Sequence, residues 1–166
     1  PGTGSSGMEA CVANLIEPGD RILIGVNGFF GDRIRQMAER QAAEITVIEE
    51  DWGKPIDPAR VEAELKNASY RLVALVHAET STGVLQPIAD IALLAKEYGA
   101  MMMLDTVSSL GGIEIKVDEW GIDACFSCSQ KCIGCAAGLS PITFSDRAVE
   151  AVKNRKTPVS SWYLDI

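Results

Sequence analysis

Ser127-Cys128-Ser129-Gln130-Lys131 is the stretch from which the fold can be worked out. The run at residues 123–127, which leads into this stretch and has an apolar centre, predicts a strand, and the small-residue loop at 134–138 predicts a turn away from the sheet. The lysine therefore stands where a strand ends. Upstream, Asp105 follows the apolar run Met101-Met102-Met103-Leu104 in the same way. We expect a buried amine and a buried carboxylate at two strand tips, a pairing typical of a cofactor site.

Outward from this stretch, short apolar runs alternate with segments of helical periodicity. This alternation at βα spacing predicts the α/β class, with a mostly parallel sheet and helices on both faces. The predicted strands cover residues 21–26, 44–48, 72–76, 100–104, 123–127 and 139–144. The predicted helices begin near Met8, Asp32, Pro58, Pro87 and Asp146.

Polar residues stand at the predicted carboxyl ends of several strands, where ligands collect in sheets of this kind. They are Glu79, Thr80, Asp105 and the pair Gln130-Lys131. The loop Gly2-Thr3-Gly4-Ser5-Ser6-Gly7 runs directly into a helix. Free amides, hydroxyls and the positive end of the helix dipole together favour an anion there.

Composition narrows the classes of function. The chain has 166 residues, 47% of them hydrophobic, and a formal net charge of −8. This charge argues against nucleic acid or an anionic membrane as the main partner. No apolar run approaches the roughly 18 residues that span a bilayer, and no signal peptide is visible. We expect a cytoplasmic protein, or a peroxisomal one if the source is eukaryotic.

The cysteines raise the possibility of a zinc site. The pairs Cys125-x-x-Cys128 and Cys132-x-x-Cys135 resemble two knuckles, but only three residues separate them. Zinc ribbons place a much longer loop between their pairs. We therefore predict no metal site and read the cysteines as reduced thiols.

A dinucleotide site is a second alternative, because residues 2–7 match G-x-G-x-x-G. That fingerprint requires an acidic residue at the end of the next strand. The predicted strand at 21–26 ends in Asn27-Gly28 instead, and a dinucleotide explains neither Lys131 nor Asp105.

Pyridoxal 5'-phosphate explains more of the pattern. Its aldehyde needs an amine, which Lys131 can supply, and its ring nitrogen needs a carboxylate such as Asp105. Its phosphate needs a helix N-terminus with hydroxyls, as at residues 2–5. Its ring needs a flat apolar cover, and Phe29-Phe30 can provide one.

The chain resembles the large domain of the class V, fold-type I aminotransferases, and it is most similar to the alanine–glyoxylate and serine–pyruvate group. On this resemblance, residues 1–166 are a partial cofactor-binding large domain, with an N-terminal arm and a C-terminal small domain outside them. The matching motifs run in order along the chain. They are Gly2-Thr3-Gly4-Ser5, Glu17-Pro18-Gly19-Asp20, Asn27-Gly28-Phe29-Phe30-Gly31, residues 77–87, residues 105–112, Ser129-Gln130-Lys131, Arg155-Lys156-Thr157 and Trp162-Tyr163-Leu164-Asp165.

The resemblance implies a role for each matching residue. Lys131 becomes the Schiff-base lysine and proton carrier, and Asp105 the partner of the pyridinium nitrogen. Val107 lies against one face of the ring, and Phe30 stacks on the other. The phosphate is held by Thr3, Gly4, Ser5 and Gln130, and Thr80 approaches the O3′ atom. Independently of the resemblance, we expect His77 to satisfy a backbone group near the strand end and Glu79 to orient its loop.

The implied reaction is amino transfer from a small amino acid, alanine or serine, to a 2-oxo acid, glyoxylate or pyruvate, by a homodimer. A ureidoglycine–glyoxylate aminotransferase remains an alternative. A cysteine desulfurase-like enzyme is another, although that subgroup has histidines where this chain has Gln130 and Phe30. The family's substrate-carboxylate arginine belongs to the C-terminal domain, so these residues alone fit an inactive piece that only binds cofactor.

Overall fold

A computed structural model describes residues 1–166. The helices are α1 (Gly4–Leu15), α2 (Phe29–Arg40), α3 (Pro58–Asn67), α4 (Ala89–Glu97), α5 (Val117–Trp120) and α6 (Asp146–Lys153). The strands are β1 (Arg21–Val26), β2 (Glu44–Glu49), β3 (Leu72–Val76), β4 (Ala78–Glu79), β5 (Val84–Leu85), β6 (Met101–Asp105), β7 (Ala124–Phe126) and β8 (Ile142–Phe144).

Six strands form one sheet in the order β2-β1-β3-β6-β7-β8. All neighbours run parallel except β7 and β8, which pair antiparallel. The prediction of a mostly parallel α/β sheet is confirmed. Strands β4 and β5 form a separate two-stranded hairpin.

Helices cover both faces of the sheet, as predicted. Successive strand residues point to opposite faces, so Ile22 and Ile24 pack with α1, α2 and α6 while Leu23 packs with α3 and α4. The central strands β3 and β6 are buried along their whole length, which explains their unbroken apolar sequences. None of the helices combines the length and the apolar composition that crossing a membrane requires.

Side-chain caps set several helix boundaries. Asp57 accepts from the Ala59 amide at the start of α3, and Ser145 accepts from the Ala148 amide at the start of α6. Helix α2 begins at Phe29, three residues before the predicted start. The prediction was wrong because the stabilising carboxylate is that of Glu79, which lies far away in sequence at the end of β4.

Strand β8 and helix α4 also differ from the predicted elements. The last strand covers only residues 142–144 of the predicted 139–144 and runs antiparallel to β7. Residues before it are diverted into bonds with the loop after β7, where the Ser127 and Ser129 amides donate to the carbonyls of Pro141 and Leu139. Helix α4 starts at Ala89 instead of Pro87.

Candidate cofactor site

A cavity of about 120 Å³ opens at the carboxyl edge of the sheet, between β6, the loop after β7 and the N-termini of α1 and α2. It brings together every residue predicted for the site except Thr80. The lining residues are Thr3, Gly4, Ser5, Met8, Phe30, Arg33, Asp105, Val107, Gln130 and Lys131.

Asp105 ends β6 at the base of this cavity and is only 2% exposed. Its Oδ1 accepts from the Val107 amide at 2.8 Å. Its Oδ2 is buried and has no hydrogen-bond partner. Burial raises the pKa of the Asp105 carboxyl to about 7, although the Val107 amide and the Arg33 charge oppose the shift. The carboxylate therefore has one oxygen free for a donor that residues 1–166 do not supply.

The N-terminus of α1 forms the opposite end of the cavity. Thr3 is its N-cap but makes no side-chain capping bond, and the Gly4 and Ser5 amides donate to no protein acceptor. A Cβ on Gly4 would lie 2.7 Å from Val107 Cγ2, so only glycine lets this helix approach the strand end so closely. The arrangement presents free donors and a positive helix end to an anion.

Phe30 lies in the first turn of α2, and Glu79 fixes that turn. The Oε2 atom of Glu79 accepts from the Phe30 amide at 3.0 Å and the Gly31 amide at 3.2 Å. Its Oε1 accepts from the Ser81 amide and hydroxyl at 3.1 and 2.6 Å. Glu79 is 1% exposed and fully engaged. The structure thus confirms that it orients this region, and it explains why α2 begins early.

Lys131 lines the cavity but is exposed, so the expectation of a buried amine was wrong. The strand ends at Phe126, and by Gln130 the chain has left the cover of the sheet and entered a turn at the cavity rim. Ser129 anchors that turn. Its hydroxyl donates to the Ala136 carbonyl at 2.6 Å, and its own carbonyl accepts from the Cys135 amide at 2.9 Å.

Thr80 is the predicted residue that the structure keeps out of the cavity. Its side chain is exposed, and its hydroxyl forms a hydrogen bond with the Ser108 hydroxyl. Thr80 lies in the turn after β4, outside the set of residues that line the cavity. Its approach to the O3′ atom stays a prediction.

Arg33 and Met8 line the cavity but were missed from the sequence. Arg33 Nη1 donates to the Ser5 hydroxyl at 2.8 Å, and its guanidinium lies 4.9 Å from the ring centres of both Phe29 and Phe30. A signal was available, because Arg33 follows Phe30 by three residues and so shares its face of α2. Its position beside Ser5 depends on how α1 and α2 pack, which no local pattern gives.

His77 takes no part in the cavity. The prediction that it satisfies a backbone group was wrong, because its Nδ1 pairs with the Ser109 hydroxyl at 3.0 Å. Its ring meets Trp120 edge-on at 5.8 Å, and burial lowers the pKa of the imidazole.

The cysteines do not assemble into one cluster. Cys11, Cys125 and Cys128 are buried, while Cys132 and Cys135 are exposed. No group of three or more His, Cys, Asp or Glu side chains has the geometry to hold a metal ion. Burial raises the pKa of the Cys125 thiol, which also pairs with the Thr106 hydroxyl at 3.2 Å.

A wider cavity of about 760 Å³ lies at the opposite, amino-terminal edge of the sheet, between Glu17, Arg71 and Asn154. None of the residues predicted for the site lines it. Size therefore does not identify the site here. The smaller cavity is the one that combines an unpaired carboxylate oxygen, free amides, an amine and an aromatic ring.

The sheet order defines the class as a mostly parallel α/β fold that the chain shares with solved aminotransferases, and the polar groups at its carboxyl edge lie where such folds bind ligands. The family follows from the sequence. The model of the aminotransferase class-V family matches residues 1–158, and the chain belongs to that family.

Individual relatives agree with this assignment. The chain is 39% identical over 155 residues to an (S)-ureidoglycine–glyoxylate transaminase of Bacillus subtilis, covering 93% of this chain and 37% of the relative. It is 38% identical over 166 residues to an alanine–glyoxylate aminotransferase of Drosophila melanogaster, covering 99% and 42%. The crystal structure of an alanine–glyoxylate aminotransferase from Nostoc sp. superposes with a TM-score of 0.96 at 47% identity, covering 99% and 44%. The chain thus spans about two-fifths of the length of such relatives.

Proposed function

We propose that the protein uses pyridoxal 5'-phosphate to transfer an amino group from a small amino acid, alanine or serine, to a 2-oxo acid, glyoxylate or pyruvate. The unpartnered Oδ2 of Asp105 is the observation that carries the proposal. A buried carboxylate oxygen with no donor fits a ligand that brings one, and the pyridinium N–H of this cofactor is such a donor. A cation beside Asp105 would also lower the pKa that burial has raised.

The other lining residues fit the remaining parts of the cofactor. The free amides of Gly4 and Ser5, with Thr3 and Gln130 beside them, suit the phosphate. Phe30 and Val107 supply apolar surfaces for the two faces of a flat ring. Glu79 keeps Phe30 in place through two backbone bonds.

When bound, the cofactor supplies an electron sink that stabilises negative charge at the substrate Cα. Asp105 keeps the proton on the ring nitrogen, on which that sink depends. Lys131 holds the cofactor through its Nζ and then carries a proton on that atom. Its place on an anchored turn at the open rim lets the amine reach substrate arriving from solvent. The exposure of Lys131, which differs from the buried amine expected from the sequence, is compatible with this role.

The visible absorption of the bound cofactor tests the assignment in the full-length protein. We expect the band to disappear in Lys131→Ala and to persist in Lys153→Ala, a matched control on the exposed face of α6. Absence of any such band in the wild-type protein would refute the cofactor assignment.

Ureidoglycine as amino donor is a second candidate, since a relative with that named activity is 39% identical. A desulfurase-like reaction is less well supported, because Gln130 and Phe30 occupy the two cavity positions where that subgroup has histidines. Profiling alanine, serine, ureidoglycine and cysteine as donors separates these reactions. Formation of pyruvate from alanine supports the main proposal, and sulfide release from cysteine would overturn it.

The proposal extends to the whole protein. It includes a homodimer, a cytoplasmic location, or a peroxisomal one in a eukaryote, and a substrate-carboxylate arginine from a C-terminal domain. Without that arginine, residues 1–166 are proposed to bind cofactor and to be inactive alone. Adding the isolated segment to cofactor and donor tests this directly, because turnover by it would contradict the proposal.

A further inference from the structure

We propose that Arg33 is a positioning residue that aims the Ser5 hydroxyl at the cofactor phosphate and joins the two halves of the site. The inference rests on the proposed function and concerns a residue that the family motifs quoted above do not include. Arg33 extends from α2, which carries the ring-stacking Phe30, to α1, which carries the phosphate donors.

The hydrogen bond between Arg33 and Ser5 determines what the hydroxyl can do. A serine hydroxyl has one proton to donate and lone pairs that accept. Because Arg33 Nη1 donates to Ser5 Oγ at 2.8 Å, an oxygen lone pair is occupied and the hydroxyl proton remains free for an anion. Ser6 shows the opposite case, since its hydroxyl donates to the Thr3 carbonyl at 2.6 Å and is thereby used.

The guanidinium itself is held in place from its other side. It lies 4.9 Å from the ring centres of Phe29 and Phe30, which meet edge-on at 5.5 Å. The Phe30 backbone is fixed in turn by Glu79. Arg33 therefore presents its charge to the cavity from an ordered position, so it loses little conformational freedom when an anion binds.

No acidic side chain pairs with Arg33, which distinguishes it from its neighbour on the helix. Arg35 is engaged by Asp32 and Glu39, whereas Arg33 makes its only side-chain hydrogen bond to the neutral hydroxyl of Ser5. Arg33 makes no ion pair, although Asp105 lines the same cavity, so its guanidinium keeps donors that can attract an anion. With the free amides of α1, it completes a set of donors for a phosphate group.

Binding of pyridoxal 5'-phosphate, pyridoxal and inorganic phosphate to the cofactor-free, full-length protein tests the inference. In Arg33→Gln we expect the phosphorylated cofactor to bind about 10- to 100-fold more weakly, while pyridoxal changes less than about threefold. Inorganic phosphate should bind measurably to the wild type and not to this variant. Arg40→Gln, which alters an exposed arginine of the same helix, is the control and should leave all three affinities unchanged.

The double variant tests whether Arg33 acts through Ser5. If it does, Ser5→Ala combined with Arg33→Gln binds the phosphorylated cofactor no more weakly than Arg33→Gln alone. Arg33→Lys should recover part of the affinity, because it keeps the charge but loses the planar donor pair. Thermal unfolding without cofactor shows whether each variant is folded. If Arg33→Gln does not fold, Arg33→Lys takes its place in the binding comparison.

Each contrary result has a distinct meaning. Equal losses for pyridoxal and its phosphate would overturn the inference, because they would assign Arg33 to packing of the aromatic rings alone. Additive losses in the double variant would overturn the link through Ser5. If inorganic phosphate binds as expected but no visible band forms with the cofactor, the proposed function fails while the anion site stands.

Discussion

Two buried aspartates lie at opposite edges of the same sheet, and their surroundings differ. Asp123 precedes β7 at the amino edge, where its Oδ2 accepts from the Met102 amide at 2.9 Å and its Oδ1 from the Ser145 hydroxyl at 2.7 Å. Arg147 adds a charge at 3.6 Å. Asp105, at the carboxyl edge, has one backbone donor and one unpartnered oxygen.

The difference separates a carboxylate whose two oxygens are both bonded within the fold from one that keeps an oxygen without a partner. A buried polar atom without a partner costs stability, so a folded protein leaves few of them. Asp123 meets that requirement with groups of this chain. Asp105 does not, and the pKa of its carboxyl is raised because the buried charge has too few partners to offset its loss of hydration. Variants at the two positions should therefore fail in different ways.

The largest effect is expected for Asp105→Asn. The amide keeps the size of the side chain and can still accept from the Val107 amide, but it cannot hold a proton on the ring nitrogen of the cofactor. We expect kcat/KM for amino transfer to fall by about 10³-fold or more. Steady-state kinetics on the full-length protein measure this, and near-normal turnover would remove Asp105 from the chemistry.

The pH dependence of stability gives the second prediction. Asp105 has a pKa of about 7 in the folded protein and an ordinary value of 3.8. The folded state therefore holds the proton more tightly, so the contribution of Asp105 to stability is fully present below the unfolded pKa and is lost as the pH rises from about 4 to 7. The full loss is roughly 4 kcal/mol. Denaturant titrations of the cofactor-free protein should show it as a wild-type slope that Asp105→Asn lacks, and parallel slopes would contradict it.

The sequence predicted the sheet well because its strands are apolar on both faces and end in polar residues. The predicted bounds of β1 and β3 match the structure, and the edge at which Asp105 and Lys131 lie follows from parallel strand direction alone. The sequence was sufficient to predict which residues lie at the cavity, but it was not sufficient to predict their hydrogen-bond partners. That Asp105 Oδ2 has no partner depends on every neighbour in space, and no pattern along the chain contains it.

The failures share one physical cause, which is contact between segments distant in sequence. Helix α2 begins at Phe29 because Glu79 accepts from the Phe30 amide, 49 residues away in sequence. Arg33 reaches Ser5 across the packing of two helices, and Lys131 is exposed because its turn leaves the sheet. Each depends on tertiary arrangement, which overrides local preference.

Asp123→Asn is expected to lose stability instead of activity. One of its two accepting oxygens becomes an amide nitrogen, which cannot accept the hydrogen bond that the oxygen accepts, and Arg147 loses its charged partner. Because the Arg147 side chain is 44% exposed, we expect the free energy of unfolding to drop by only about 2 kcal/mol. Urea denaturation measures the loss. The visible cofactor band per folded molecule should be unchanged, and a weakened band would break the distinction between the two edges.

Glu79 sharpens the comparison, because it lies at the same edge as Asp105 yet resembles Asp123. Both of its oxygens are occupied, by the Phe30 and Gly31 amides and by Ser81. Glu79→Gln should therefore lower the free energy of unfolding by about 1–2 kcal/mol and weaken cofactor binding only a few-fold, through a looser Phe30. Urea denaturation and a cofactor titration test both parts. A loss of activity as large as that of Asp105→Asn, with stability intact, would mean that position at the carboxyl edge matters more than a free oxygen. The expected result assigns function to the unpartnered atom, since two buried carboxylates at one edge then differ only in what each has left to bind.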